Sequence, residues 1–271
     1  METKNIEIKN LVVKLDINNK GYKTSRLLYD NLNYTIKQGD KILIEGPNGS
    51  GKTVLLGLIF SGYSNAFYSS DSNQKLECSG EIYYNGENIF IPSSKRNNKI
   101  IYLSQQDEFR SNSTVISEIE SSCRGFGIDP AQTEISNKID EYLKMFGLYE
   151  KKNCIIGEAM FSFFGKTRRK NLSYGEAKCV HLISKLVIAN YAEVMLLDEP
   201  LNHLSFENSK TFNNIMNSIV RENENLTILV VSHCKAINFI NKKIRYSKNG
   251  RTFIEYPYKS YDCFDEKIQE V

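Results

Sequence analysis

A chain of 271 residues is long enough to bury the core of one large domain or two small ones. With 41% hydrophobic and 25% charged residues, 16 Gly and 5 Pro, it falls in the globular range and outside the collagen-like, low-complexity and disordered classes. Its formal charge of +3, from 35 basic and 32 acidic residues without a like-charge block, argues against a nucleic-acid partner.

In chain order, IEIKNLVVKL from Ile6 and LLYDNLNYTI from Leu27 alternate apolar and polar residues, which predicts two half-buried antiparallel strands. KILIEG is a short apolar run ending in glycine, and VLLGLIF after it has helical character, so a strand, a loop and a helix are expected there. Asn85-Gly86 between apolar runs is a hairpin signal. IIYLSQQ reads as a buried strand ending in polar residues. From Ser113 to about Lys152 the period becomes helical, with Ile135, Ile139, Leu143 and Phe146 on one face. YGEAKCVHLISKLVIAN is helical again, AEVMLLDEP and NLTILVVSH are buried strands, and the tail from Lys242 reads as small strands. Strands alternating with helices predict an α/β fold with a mainly parallel central sheet, an N-terminal antiparallel β part and an inserted helical subdomain. One domain over residues 1–271 is expected, with the helical subdomain at about 106–172 and a C-terminal extension at 242–271.

The apolar stretches around 187–197 and 228–231 are too short or too interrupted to cross a bilayer, and residues 1–10 lack the apolar region of a secretory leader. A cytosolic location follows as the expectation. Cys78, Cys123, Cys154, Cys179, Cys234 and Cys263 are widely spaced without a CxxC pair and read as free thiols. Only His181, His203 and His233 could join them in a metal site, which argues against a zinc ribbon.

Residues 46–53, GPNGSGKT, satisfy G-x-x-x-x-G-K-[ST] between the predicted strand and helix. Gly46, Pro47, Asn48, Gly49, Ser50, Gly51, Lys52, Thr53 and Val54 are therefore candidate phosphate-binding positions. Glycines let consecutive backbone N–H groups face phosphates, and the helix start adds its positive dipole end. Lys52 would neutralise the β- and γ-phosphates, and Thr53 would offer its hydroxyl to Mg²⁺. In VMLLDEP, Asp198 can hold the Mg²⁺ shell and Glu199 can polarise an attacking water. Strand ends of an open α/β sheet are the usual place for such ligands.

With LSYGE at 172–176, where LSGGQ is common, these ordered motifs resemble the ATP-binding cassette (ABC) family over nearly the whole chain. The resemblance implies an ATPase subunit that binds ATP and Mg²⁺. In this family the signature of one cassette covers the ATP held by the phosphate loop of another, as a homodimer or heterodimer. Ser173 and Gly175 are retained, whereas Tyr174 and Glu176 depart from the usual Gly and Gln. An N-cap serine with a first-turn glutamate accounts for the same local pattern. The resemblance further implies Gln105, with Gln106 as the rival, for the glutamine that reaches Mg²⁺ and the attacking water. It implies His233 for the switch histidine that contacts the γ-phosphate and holds the glutamate in place. LNHLS at 201–205 is similar to the loop that crosses the dimer, with Ser205 where Asp is common. Tyr22, or else Tyr29, would stack on adenine.

Such a cassette would dock on a separate membrane-spanning subunit, at the cytoplasmic face of the membrane. IIGE at 155–158 resembles an exporter pattern and tilts the expectation slightly to export. Met160, Phe161, Phe163 and Phe164 read as core of the helical subdomain, and KTRRK at 166–170 as a solvated basic loop. The alternative is a soluble ABC ATPase acting on an iron–sulphur scaffold or the ribosome. A P-loop kinase would need neither the signature nor His233.

Overall fold

The computed structural model describes residues 5–19, 22–62, 74–90, 99–105, 113–156, 172–233, 237–246 and 253–257. Residues β1 (Asn5–Asn19), β2 (Tyr22–Lys37), β4 (Gln74–Tyr84) and β5 (Glu87–Asn88) form one antiparallel sheet in the order β2-β1-β4-β5. The polar stretch between the two apolar patterns extends β1 and β2 into a long ribbon paired from Asn5↔Lys37 to Asn19↔Tyr22. The hairpin turn falls at Asn85 and Gly86, both with positive φ (52° and 81°), the geometry that an Asn-Gly pair tolerates.

The second sheet contains β3 (Lys41–Glu45), β6 (Ile100–Leu103), β7 (Val194–Asp198), β8 (Thr227–Val231), β9 (Lys242–Tyr246) and β10 (Phe253–Pro257), in the order β10-β9-β3-β8-β7-β6. All neighbours are parallel except β10 with β9. The two strands of the tail are thus members of the main sheet, with Ile44 of β3 opposite Ile244 of β9.

Both faces of this sheet are covered, which explains the continuous apolar runs of β3, β7 and β8. Ile42, Ile44, Val194, Leu196, Leu229 and Val231 face α1 (Lys52–Ser61) and the antiparallel sheet. Leu43, Met195, Leu197, Ile228 and Val230 face the opposite core, shared with α2 (Val115–Gly125), α3 (Thr133–Met145), α4 (Tyr174–Leu186) and α5 (Phe206–Glu222). Alternate side chains of each strand point to opposite faces, so one register assigns both cores. The predicted helical face of α3 is observed: Ile135, Ile139, Leu143 and Phe146 are all buried. Among the described residues no helix is long and apolar enough to cross a membrane. Cys78, Cys123, Cys154 and Cys179 are free thiols. Cys234, Cys263, Gln106, Met160, Phe161, Phe163, Phe164 and the basic run 166–170 lie outside the described residues.

Candidate active site

The loop at 46–51 leaves the end of β3 and enters α1, whose N-cap is Gly51 at φ 96°. Its N-cap glycine has no side chain to cap it and its first turn holds no acid, so among the described residues the helix start carries no side-chain acceptor of its own. Within the loop, Ser50 N–H donates to the Pro47 carbonyl at 3.1 Å, while the buried Ser50 hydroxyl has no hydrogen-bond partner among the described residues. Lys52 is only 7% exposed and bends back over the loop, donating to the carbonyls of Gly46 (2.8 Å) and Pro47 (3.1 Å). Burial lowers its pKa, and the charges of Glu199 and Asp198 oppose that shift. Thr53 beside it is exposed and Val54 half-buried. Behind the loop stands Tyr29 of β2, fully buried, whose hydroxyl donates to the Gly51 carbonyl at 2.8 Å. That role replaces the adenine-stacking one considered for Tyr29, because a ring with no exposed face cannot stack on a ligand. Tyr22 opens β2 opposite Asn19, and its side chain lies outside the described residues.

The carboxylates stand at the end of β7, two strands from the loop. Asp198 is wholly buried, and among the described residues neither of its oxygens has a hydrogen-bond partner within ordinary distance. Burial raises its pKa to about 6; the nearby Thr53 hydroxyl opposes the shift, Glu199 adds to it, and Lys178 and Lys52 oppose it. An orphaned buried carboxylate beside a threonine hydroxyl is a fitting oxygen set for Mg²⁺, a hard cation that favours such ligands.

Glu199 is 4% exposed and has φ 48°, an uncommon backbone conformation for a residue with a side chain. It is held there by its N–H donating to the Val231 carbonyl at 2.8 Å. Outliers of this kind cluster at functional sites. Its Oε2 accepts from the backbone N–H of His233 at 3.3 Å, and the His233 Nε2 lies 3.6 Å from Oε1. The imidazole itself is exposed. Between the loop and His233 opens a cavity of about 350 Å³, bordered by Gly46, Pro47, Ser232 and Arg245. Lys52 thus lies within electrostatic reach of Asp198 and Glu199, and Glu199 in turn contacts His233.

Gln105 follows β6, which pairs with β7 through Leu103↔Leu197, so it leaves the sheet at the same end as Asp198. Its side chain is exposed and makes no hydrogen bond to either carboxylate among the described residues. Ser173 is the N-cap of α4. Its hydroxyl accepts from Glu176 N–H at 3.3 Å, and its own N–H donates to the Glu176 carboxylate at 2.8 Å. Lys151 pairs with the other oxygen of Glu176 at 2.7 Å. Ser173 and Tyr174 remain exposed, and Ser173 makes no hydrogen bond to the phosphate loop of its own chain. A Cβ at Gly175 would stand 2.9 Å from the His203 carbonyl oxygen, tighter than carbon and oxygen normally approach, so glycine is required there. Tyr174 meets the His203 ring edge-on at 4.7 Å. His203 is a loop residue, and Ser205, read as a departure from the usual Asp, caps α5 by accepting from Asn208 N–H at 3.2 Å.

The ABC transporter family matches residues 29–202 of this chain. A putative ABC transporter ATP-binding protein of Streptococcus mutans is 30% identical over 184 residues, which is 67% of this chain and 28% of that protein. The spermidine/putrescine import ATP-binding protein PotA of Fusobacterium nucleatum is 28% identical over 86% of this chain and 52% of its own length. The chain thus spans about a quarter to a half of these curated relatives. In fold it is similar to MJ0796, a bacterial ABC transporter cassette solved as a dimer, with a TM-score of 0.68 and 22% identity over 94% of this chain and all of that one. The chain belongs to the ABC transporter family.

Proposed function

We propose that this chain binds MgATP at the loop 46–53 and hydrolyses it, in a dimer of cassettes that drives a membrane-spanning partner from the membrane surface. The observation that carries the reading is the buried Asp198, without hydrogen bonds, next to a strained Glu199 and within electrostatic reach of the loop lysine. Asp198, Thr53 and Gln105 would hold Mg²⁺, which supplies charge neutralisation at the phosphate oxygens. The backbone of Gly46, Pro47, Asn48, Gly49, Ser50 and Gly51, with Lys52 and Val54, would cradle the phosphates, and Tyr22 would stack on adenine.

Glu199 would take a proton from an attacking water, a role supported by the contacts of its two oxygens with the backbone and ring of His233. Ser173 and Gly175 would reach the nucleotide of a second copy, a reading supported by the exposure of Ser173, whose hydrogen bonds among the described residues go to Glu176 and not to the phosphate loop of its own chain. The cassette would be one domain with a helical subdomain at about 106–172. The exporter-like pattern at 155–158 is balanced by similarity to an import protein.

The test is phosphate release from ATP by the purified chain with and without Mg²⁺, beside Asp198→Asn. Turnover that requires the cation and is lost in the variant supports the proposal; cation-independent turnover, or full activity in Asp198→Asn, overturns it. Recovery of a soluble assembly instead of a multi-span membrane protein from cells would redirect the partner assignment.

A further inference from the structure

We infer that Arg26 is a second cation of the phosphate site, holding the nucleotide's phosphate chain from the solvent side of the loop while Lys52 holds it from within. This assignment rests on the MgATP reading above. Arg26 lies on β2 opposite Leu15 of β1, in the part of the ribbon whose residues are too polar to announce a role by periodicity. The ribbon runs directly beside the loop. A Cβ built at Gly51 would stand 3.1 Å from the Tyr29 hydroxyl and 3.3 Å from Leu28 Cβ, and one at Gly49 would stand 2.8 Å from Arg26 Nη1. The guanidinium therefore rests on the exposed tip of the loop, where Gly49 (φ 74°) leaves room for it.

Two features make this more than a surface arginine. Its strand is anchored three residues on by the buried Tyr29, whose hydroxyl is bonded to the loop carbonyl of Gly51, so arginine and loop are held as one unit. Among the described residues no carboxylate pairs with the Arg26 guanidinium, which leaves its charge available beside the loop. A cation placed against a loop built for anions, without an anion of its own, has the chemistry to bind a phosphate oxygen, and its planar fork suits two oxygens at once. Because Arg26 is exposed, its contribution is that of a screened charge-assisted bond, smaller than that of a buried one.

The experiment measures ATP and ADP affinity of the full chain with Mg²⁺, at low and high salt, for the wild type, Arg26→Gln and Arg26→Lys. Arg26→Gln is expected to weaken both nucleotides roughly three- to tenfold at low salt, as for loss of one exposed charge-assisted hydrogen bond, with the gap narrowing at high salt. Arg26→Lys should recover part of the loss, and KM should rise with kcat unchanged, as for a contact made equally in ground and transition states. Equal affinities for wild type and Arg26→Gln would overturn this assignment and leave the MgATP reading standing. A loss that neither salt nor lysine alters would overturn it too, in favour of a structural role. Failure of the wild type to bind nucleotide at all would overturn both.

Discussion

Replacing Glu199 by Gln separates chemistry from fold at this site. The amide oxygen of the variant can keep the bond from His233 N–H, now 3.3 Å, and its NH₂ then faces the ring nitrogen, 3.6 Å from Oε1 in the native chain. An unprotonated imidazole nitrogen can accept from that amide. Because the native carboxylate is 4% exposed, the change removes a buried charge and leaves no new orphan, so the melting midpoint should stay level or rise. What the amide cannot do is take a proton. Loss of a general base lowers a rate by about 10²–10⁴-fold. At about 1.4 kcal/mol per decade this is about 3 to 5.5 kcal/mol of barrier. Steady-state phosphate release, with nucleotide binding and a thermal scan on the same sample, reads all three quantities. ATP affinity should persist and a nucleotide-bound dimer should accumulate. Turnover within about threefold of wild type in a folded variant would remove Glu199 from the chemical step.

Lys52→Ala should weaken ATP binding itself, since the ammonium is the only side-chain cation bonded to the loop carbonyls among the described residues; unchanged affinity by calorimetry would contradict the cradle. Tyr29→Phe should destabilise the chain by about 1 kcal/mol in urea titration, because the Gly51 carbonyl keeps its bond from Leu55 N–H and is not left orphaned; a loss well above about 3 kcal/mol would refute that accounting. Gly175→Ala should destabilise by about 1–3 kcal/mol, as the new methyl meets a backbone oxygen that cannot rotate away, and a neutral result would show the loop at His203 to be pliable. The Glu176 carboxyl is held below its ordinary pKa, first by the Lys151 ammonium and then by the Ser173 N–H. Its stabilisation is therefore complete above the unfolded carboxylate range and is lost as pH falls through the folded value. With both side chains partly exposed the effect is below about 1 kcal/mol. Glu176→Gln keeps an acceptor for the cap, so its stability should fall less steeply with acid; an identical acid slope would refute the pairing.

Much of this was legible in the chain because the elements concerned carry local constraints. The loop needs its glycines in order, and β7 and β8, covered on both faces, can be nothing but apolar until their ends. What stayed hidden depends on pairing between distant segments. Residues 16–19 and 22–26, DINN and YKTSR, have no apolar period, yet they pair in the ribbon that brings Arg26 to the loop, because backbone hydrogen bonding to the neighbouring strand does not require apolar side chains. Tyr29 was one of 16 tyrosines until the register of β2 put its hydroxyl under Gly51. The tail could be read as strands, but that β9 lies directly against β3 follows from a contact some 200 residues apart in sequence. Ser205 looked like a lost acid in a family pattern, while its local geometry makes it the start of a helix.

The aromatic edge between Tyr174 and His203, with the backbone oxygen pressed on Gly175, welds the outward-facing tip of α4 to the segment just beyond the two acids. Anything that seats itself on that tip must push on, or be steadied by, the stretch that follows Asp198 and Glu199 in the same polypeptide. Each copy in a pair would then sense through its own tip whether the neighbour's pocket is filled, and its readiness to cut would depend on a ligand it does not itself hold.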